Sequence, residues 1–153
     1  MQENPLVIEC AGIGKDGRFL AAHTGRGEDA SPAFVLKNLS PQAKSLVITL
    51  EDLSHPVRGF THWVIWNIPA ADSVPARIPA GAGVLGGAVQ GIGYGFHRYA
   101  GPKPPRGTSH QYRFTVYALD GRLPLGAFST KRKVLRTARG HILQRGETCG
   151  YFE

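Results

Sequence analysis

The sequence predicts an all-β domain, an antiparallel β-sandwich with one short helix near the C-terminus. Three observations carry this. Three segments show the two-residue alternation of strands, turn formers (Gly 20, Pro 11) punctuate the whole chain, and a single late stretch has helical spacing. Strands and helices do not alternate, which argues against a doubly wound parallel sheet. At 153 residues the chain fits one domain, 1–153. A fold of that size buries roughly two-thirds of its unfolded surface without a disulfide or metal staple.

Two short strands come first, Pro5–Ile8 and Ala33–Leu36. The clearest strand is Ser45–Glu51, with Leu46, Ile48 and Leu50 on one face and Val47, Thr49 and Glu51 on the other. Next, His62–Ile68 is a run of large and β-branched residues closed by Pro69, as a central strand would be. Between Ala70 and Tyr99 there is little pattern beyond Gly81, Gly83, Gly86, Gly87, Gly91, Gly93 and Gly95. So long a loop is often functional, the alternative being a plain flexible excursion. In Gln111–Leu119, Tyr112, Phe114, Val116 and Ala118 share a face. Helical spacing then predicts Lys131–Gln144, entered after Ser129 or Thr130 as cap. Val134, Leu135, Ala138 and Ile142 form its apolar face, and Arg132, Arg136 and Arg139 a basic one. A last strand, Glu147–Phe152, ends the chain.

Hydrophobic residues at 42% and charged residues at 19% argue against disorder. The net charge of +7 favours anionic partners, and much of it falls on Lys131, Arg132, Lys133, Arg136, Arg139 and Arg145. No nucleic-acid partner is expected, because the interleaved aromatic and basic pattern of a known module is missing. No apolar run approaches the roughly 20 residues of a membrane span, and the N-terminus lacks a leader pattern. The expected location is therefore cytoplasmic. Cys10 and Cys149 are too few for a disulfide scaffold and would pair only if the chain ends meet.

Four residues draw chemical attention. Asp52 continues the alternation of Leu46, Ile48 and Leu50, and His62 opens the following strand. If those strands pair antiparallel, both residues sit at one end of the sheet. His110 and Tyr112 stand two apart and share a face. Two imidazoles and a carboxylate could ligate a metal, but the spacing matches no metal signature, and none is expected. A hydrolase would need a held nucleophile, and Ser54 and Ser109 lack an elbow motif. Anion binding is the third reading, through imidazole and phenol donors. Hydrogen-bonded core histidines are the fourth. GIGYG and GAGVLGG have no helix after them and so are not dinucleotide loops. In YAGPKPPRGTSH, by contrast, Pro102, Pro104 and Pro105 stiffen the backbone just before His110, as a pocket wall requires.

The chain resembles the phosphatidylethanolamine-binding protein family in its compact bacterial and archaeal branch. The matching pieces are Ser31-Pro32, KSLVITLEDLSHP, HWVIWNIP, YAGPKPPRGTSHQYRFTVYALD and GHILQRGETCGYF, in family order. The resemblance implies a β-sandwich with an anion pocket at one end. It places the pocket on Asp52, His62, Gly101, Pro102, Pro104, Pro105, His110 and Tyr112. Ser54, His55 and Phe60 are secondary candidates: Ser54 stands where the family usually has Asp, His55 is an added donor, and Gln111 replaces an Arg. The implied ligand is a phosphate or phosphorylated headgroup, bound without catalysis or cofactor and with a regulatory role. The alternative is an interaction module that inhibits a kinase or protease through the loop and basic helix, the pocket being vestigial. The resemblance also implies a homodimer as one assembly state.

Overall fold

The computed structural model describes residues 5–153. Its backbone forms two antiparallel sheets and one α-helix. Strands β1 (Val7–Cys10) and β2 (Phe34–Lys37) pair with a two-residue β5 (Ser73–Val74) in a small sheet ordered β1-β2-β5. The large sheet holds β3 (Ser45–Asp52), β4 (Phe60–Pro69), β6 (Gly83–Val84), β7 (Ala88–Gln90), β8 (His110–Leu119) and β9 (Ile142–Phe152). Its order is β6-β7-β4-β3-β8-β9, so β3 lies central between β4 and β8.

Alternation along β3 divides the core as expected. Leu46, Ile48 and Leu50 join Phe114, Val116, Trp63 and Ile65, and the small sheet closes over them with Phe34, Leu36 and Val74. On the opposite face Val47, Val64, Trp66 and Leu119 pack against Val134 and Ala138 of the helix. Both faces of the large sheet are therefore covered, one by strands and one by α1 (Lys131–Ala138). This explains why β3 and β4 read as nearly continuous apolar runs.

Three expectations need correction. The helix ends at Ala138, not Gln144. Gly140 sits at a φ of 86°, a left-handed conformation that breaks helical geometry, and Ile142 is an exposed residue of β9 rather than part of the helix face. Arg139 likewise lies past the last helical turn. Thr130 is the cap: its side chain accepts from the Lys133 N–H. The final strand consequently starts at Ile142, well before Glu147. Finally, the Gly-rich segment is an ordered structure. Gln90, fully buried, accepts from Trp63 Nε1 at 2.8 Å and donates to the carbonyls of Pro79, Gly81 and His97. One side chain thus ties three points of that segment to β4.

Cys10 and Cys149 are unpaired. Burial pushes the Cys10 thiol up to about 12, which leaves it unreactive at neutral pH. Among the described residues, no helix is long and apolar enough to cross a membrane.

Candidate functional site

Asp52 ends β3 on its inner face and is buried. Tyr112 stands directly across from it on β8, and His110 lies two residues earlier on the same face. His62 reaches this group by a different route. Leu50 pairs with Trp63 and Glu51 pairs with Thr61, so His62 is an extra residue in β4. Plain alternation would send it to the helix side with Val64 and Trp66. The one-residue bulge turns it instead toward Asp52 and Tyr112, whose ring lies 5.5 Å from its own.

These side chains line a cleft of about 390 Å³ together with His55, Pro56, Phe60, Tyr94, Lys103, Pro104 and Pro105. The hydrogen bonds fix the state of each imidazole. His110 Nδ1 donates to Asp52 Oδ2 at 2.7 Å, and His62 Nδ1 donates to the buried Ala100 carbonyl at 3.0 Å. In both rings Nε2 is the atom left for the cleft. When the rings are neutral each Nε2 is an acceptor, and it becomes a donor only on protonation. His55 has the opposite tautomer: its Nδ1 accepts from the Val57 N–H at 3.0 Å, so its proton is on Nε2. Its ring stacks on Phe60 with centroids 3.8 Å apart.

The electrostatics follow from burial. Desolvation holds His62 below the ordinary imidazole pKa, outweighing the opposing pull of the Ala100 carbonyl and the Asp52 charge. Burial and then the Asp52 charge drive the Tyr112 phenol well above the usual tyrosine range, so it remains a donor. Both Asp52 oxygens are already engaged, Oδ2 by His110 and Oδ1 by the Ser54 N–H at 2.9 Å. That engagement makes Asp52 an orienting group for His110. Lys103 lines the rim as a cation with no ion pair among the described residues.

The other sequence-derived candidates are placed as follows. Pro104 and Pro105 form the wall. Gly101 and Pro102 lie buried behind it rather than in the lining. The Gly101 N–H donates to Asp29 Oδ1 at 2.7 Å, and a Cβ at Gly101 would stand 2.3 Å from the His23 carbonyl. Ser54 is a tie: its hydroxyl accepts from the Gln111 N–H at 2.9 Å, joining the end of β3 to the start of β8. Ser109 is exposed and belongs to no such tie. Tyr94, Lys103 and Pro56 also line the cleft but were not singled out in the sequence. Tyr94 is the only aromatic within GIGYG, a signal that the Gly pattern masked. Among the described residues, no three His, Cys, Asp or Glu side chains are grouped as a metal ion requires.

Two antiparallel sheets, one short helix and a cleft of imidazoles, phenol and proline wall at one end of the large sheet define a class of small β-sandwich proteins. Within that class, the chain belongs to the phosphatidylethanolamine-binding protein family, whose sequence model matches residues 13–153. It falls in the compact bacterial and archaeal branch. A UPF0098 protein of Pyrococcus abyssi is 39% identical over 145 residues, covering 92% of this chain and 82% of the relative. One from Pyrococcus horikoshii is 35% identical over 156 residues, covering 99% and 79%. Among solved structures, Escherichia coli YbcL superposes with a TM-score of 0.86 at 25% identity, covering 98% of this chain and 99% of that one. A Chlamydia trachomatis homologue of the family gives 0.82 at 28% identity, covering 99% of both. The family is one of binding proteins, and the hydrolase reading falls with that membership.

Proposed function

We propose that the cleft binds phosphate or a phosphorylated headgroup and that this binding serves a regulatory role. The observation that supports this most is the shared arrangement of His62 and His110. Each has Nδ1 held by a fixed acceptor and Nε2 left for the cleft, with the Tyr112 hydroxyl and the Lys103 cation nearby. An anion turns both Nε2 positions into donors by favouring the imidazolium form. Asp52 keeps His110 oriented, and the proline wall limits water.

Binding is therefore coupled to proton uptake and weakens as pH rises. Calorimetric titration with phosphate and with phosphoethanolamine tests the reading on wild type, His62→Ala and His110→Ala. Saturable binding is expected in the wild type and at least about tenfold weaker binding in each variant, as for loss of one charge-assisted hydrogen bond. Wild-type protein that binds neither compound contradicts the reading and leaves inhibition of a protein partner as its replacement.

A further inference from the structure

Behind the proline wall, segment 23–30 straps the chain that carries it. The Tyr99 hydroxyl donates to the His23 carbonyl at 2.6 Å, the Gly25 N–H to the Pro102 carbonyl at 2.9 Å and the Arg26 guanidinium to the Pro104 carbonyl at 2.8 Å. A fourth tie is of another kind, because it brings a carboxylate. Asp29 Oδ1 accepts from the Gly101 N–H at 2.7 Å. Asp29 stands at a φ of 57°, a left-handed conformation that Asp and Asn tolerate better than other side chains. Only glycine fits opposite it: a Cβ at Gly101 would lie 3.0 Å from that oxygen and 2.8 Å from the Tyr99 hydroxyl.

The peptide group that joins Ala100 to Gly101 is thereby engaged at both ends. Its N–H donates to Asp29, and its C=O accepts from His62 Nδ1 at 3.0 Å. Hydrogen bonds in such a chain polarise one another. A negative charge on the N–H side makes the carbonyl a stronger acceptor, which secures the Nδ1–H tautomer and steadies a positive ring. His110 has the direct counterpart, since Asp52 holds its Nδ1–H with no peptide between them. Each imidazole of the cleft is thus backed by a carboxylate, one in contact and one a peptide away. Arg98 stands 3.7 Å from Asp29 Oδ2 but is half-exposed, so solvent screens that pair more than it screens the buried peptide.

The ionisable groups that face His62 are Asp52 from β3, His110 and Tyr112 from β8, Tyr94, Lys103 and, beyond Phe60, His55. Of these only Asp52 is an anion, and both its oxygens are engaged elsewhere. Burial lowers the His62 pKa; the Ala100 carbonyl, the Asp52 charge, the Gly101 backbone and the Asp29 charge act against it. We infer that Asp29 is a positioning residue for His62, acting through the 100–101 peptide to fix its tautomer and to favour its imidazolium form. The chain of hydrogen bonds does not depend on what the cleft binds. Only the phosphate measurement below rests on the proposed function.

Histidine titration by NMR tests the inference. Asp29→Asn keeps an acceptor oxygen and a side chain suited to the left-handed backbone, but removes the charge. The three other ties still hold the strap, which circular dichroism and the melting temperature check. The His62 pKa is expected to fall by about half a unit or more in this variant, with His110 unmoved. Glu28→Gln removes the neighbouring exposed carboxylate, which pairs with Arg77, and should leave His62 where it is. In the wild type the Gly101 amide proton should shift at the His62 midpoint, a reading that needs no variant. Phosphate affinity at pH 7 should drop about threefold in Asp29→Asn, the equivalent of half a pKa unit, and the loss should narrow at pH 5. An unchanged His62 pKa in folded Asp29→Asn overturns the inference. So does an equal fall at His110 or in Glu28→Gln, or a Gly101 amide that ignores the His62 titration. Wild type that binds no phosphate contradicts the proposed function instead, and the His62 titration still decides the role of Asp29.

Discussion

His62 shows what a single inserted residue does. The bulge in β4 moves an imidazole from the helix side of the sheet to the cleft, and the Ala100 carbonyl then fixes its tautomer. Because its folded pKa is depressed by burial, the unfolded chain takes up a proton that folded His62 resists. Stability attributable to His62 therefore falls as pH drops below about 6.5, the unperturbed value. A bound anion reverses that preference. Sulfate keeps its charge across this range, so its effect on the melting temperature isolates the protein's own protons. The gain over a His62→Ala, His110→Ala double variant should be larger at pH 5.5 than at pH 8, measured in thermal melts. An equal gain at both would show that the imidazoles do not hold the anion. Asp52, His110 and Tyr112 were legible in the sequence because they obey simple alternation. Antiparallel pairing of its strand put His62 at the Asp52 end of the sheet, but its spacing did not give the face it uses. A bulge leaves no mark in hydrophobic periodicity, and Lys103 is simply a polar residue between prolines.

At the level of elements, Glu51 joins three of them. It leaves β3 on the helix side and meets Arg113 of β8 at 3.0 Å and Lys131 at the start of α1. Burial pushes its carboxyl up, but the hydrogen bonds from Lys131 and Arg113 more than offset this and hold it below the usual range. Its contribution is present above the unfolded carboxyl pKa and is lost as pH falls through the folded one. Glu51→Gln should lower stability by about 2 kcal/mol at pH 7 in urea titration, and the difference should shrink in acid. A change within about 0.5 kcal/mol would mean that the cluster is solvent-screened. The Gly-rich loop has its own anchor. A Cβ at Gly91 would come 2.4 Å from the Ser129 carbonyl and 2.6 Å from the Trp66 ring. Gly91→Ala should therefore cost about 3 kcal/mol or detach the 91–98 segment, seen as lost hydrogen-exchange protection there. Retained protection and stability would show that the contact can relax. The central strands were readable from composition because both of their faces are buried. The helix end was not, since the apolar spacing runs on through Ile142 while the backbone turns extended at Arg139 and left-handed at Gly140.

For the whole molecule, topology gathers chemistry at one end. Antiparallel pairing of β3 with both β4 and β8 brings Asp52, the start of β4 and the start of β8 together. The proline segment that leads into β8 then becomes the wall. A net charge of +7 favours anionic partners for the molecule as a whole and specifies neither a site nor a ligand. In the proposed function, selectivity rests on imidazoles that accept when neutral and donate when charged. The central claim is that phosphate binding recruits protons to His62 and His110. The most direct measurement is the heat of phosphoethanolamine binding at pH 7.5 in two buffers of different ionisation enthalpy. The account predicts net proton uptake on binding that falls in His62→Ala and in His110→Ala. Saturable binding with no proton exchange would contradict it, because the two Nε2 atoms would then face the ligand as acceptors.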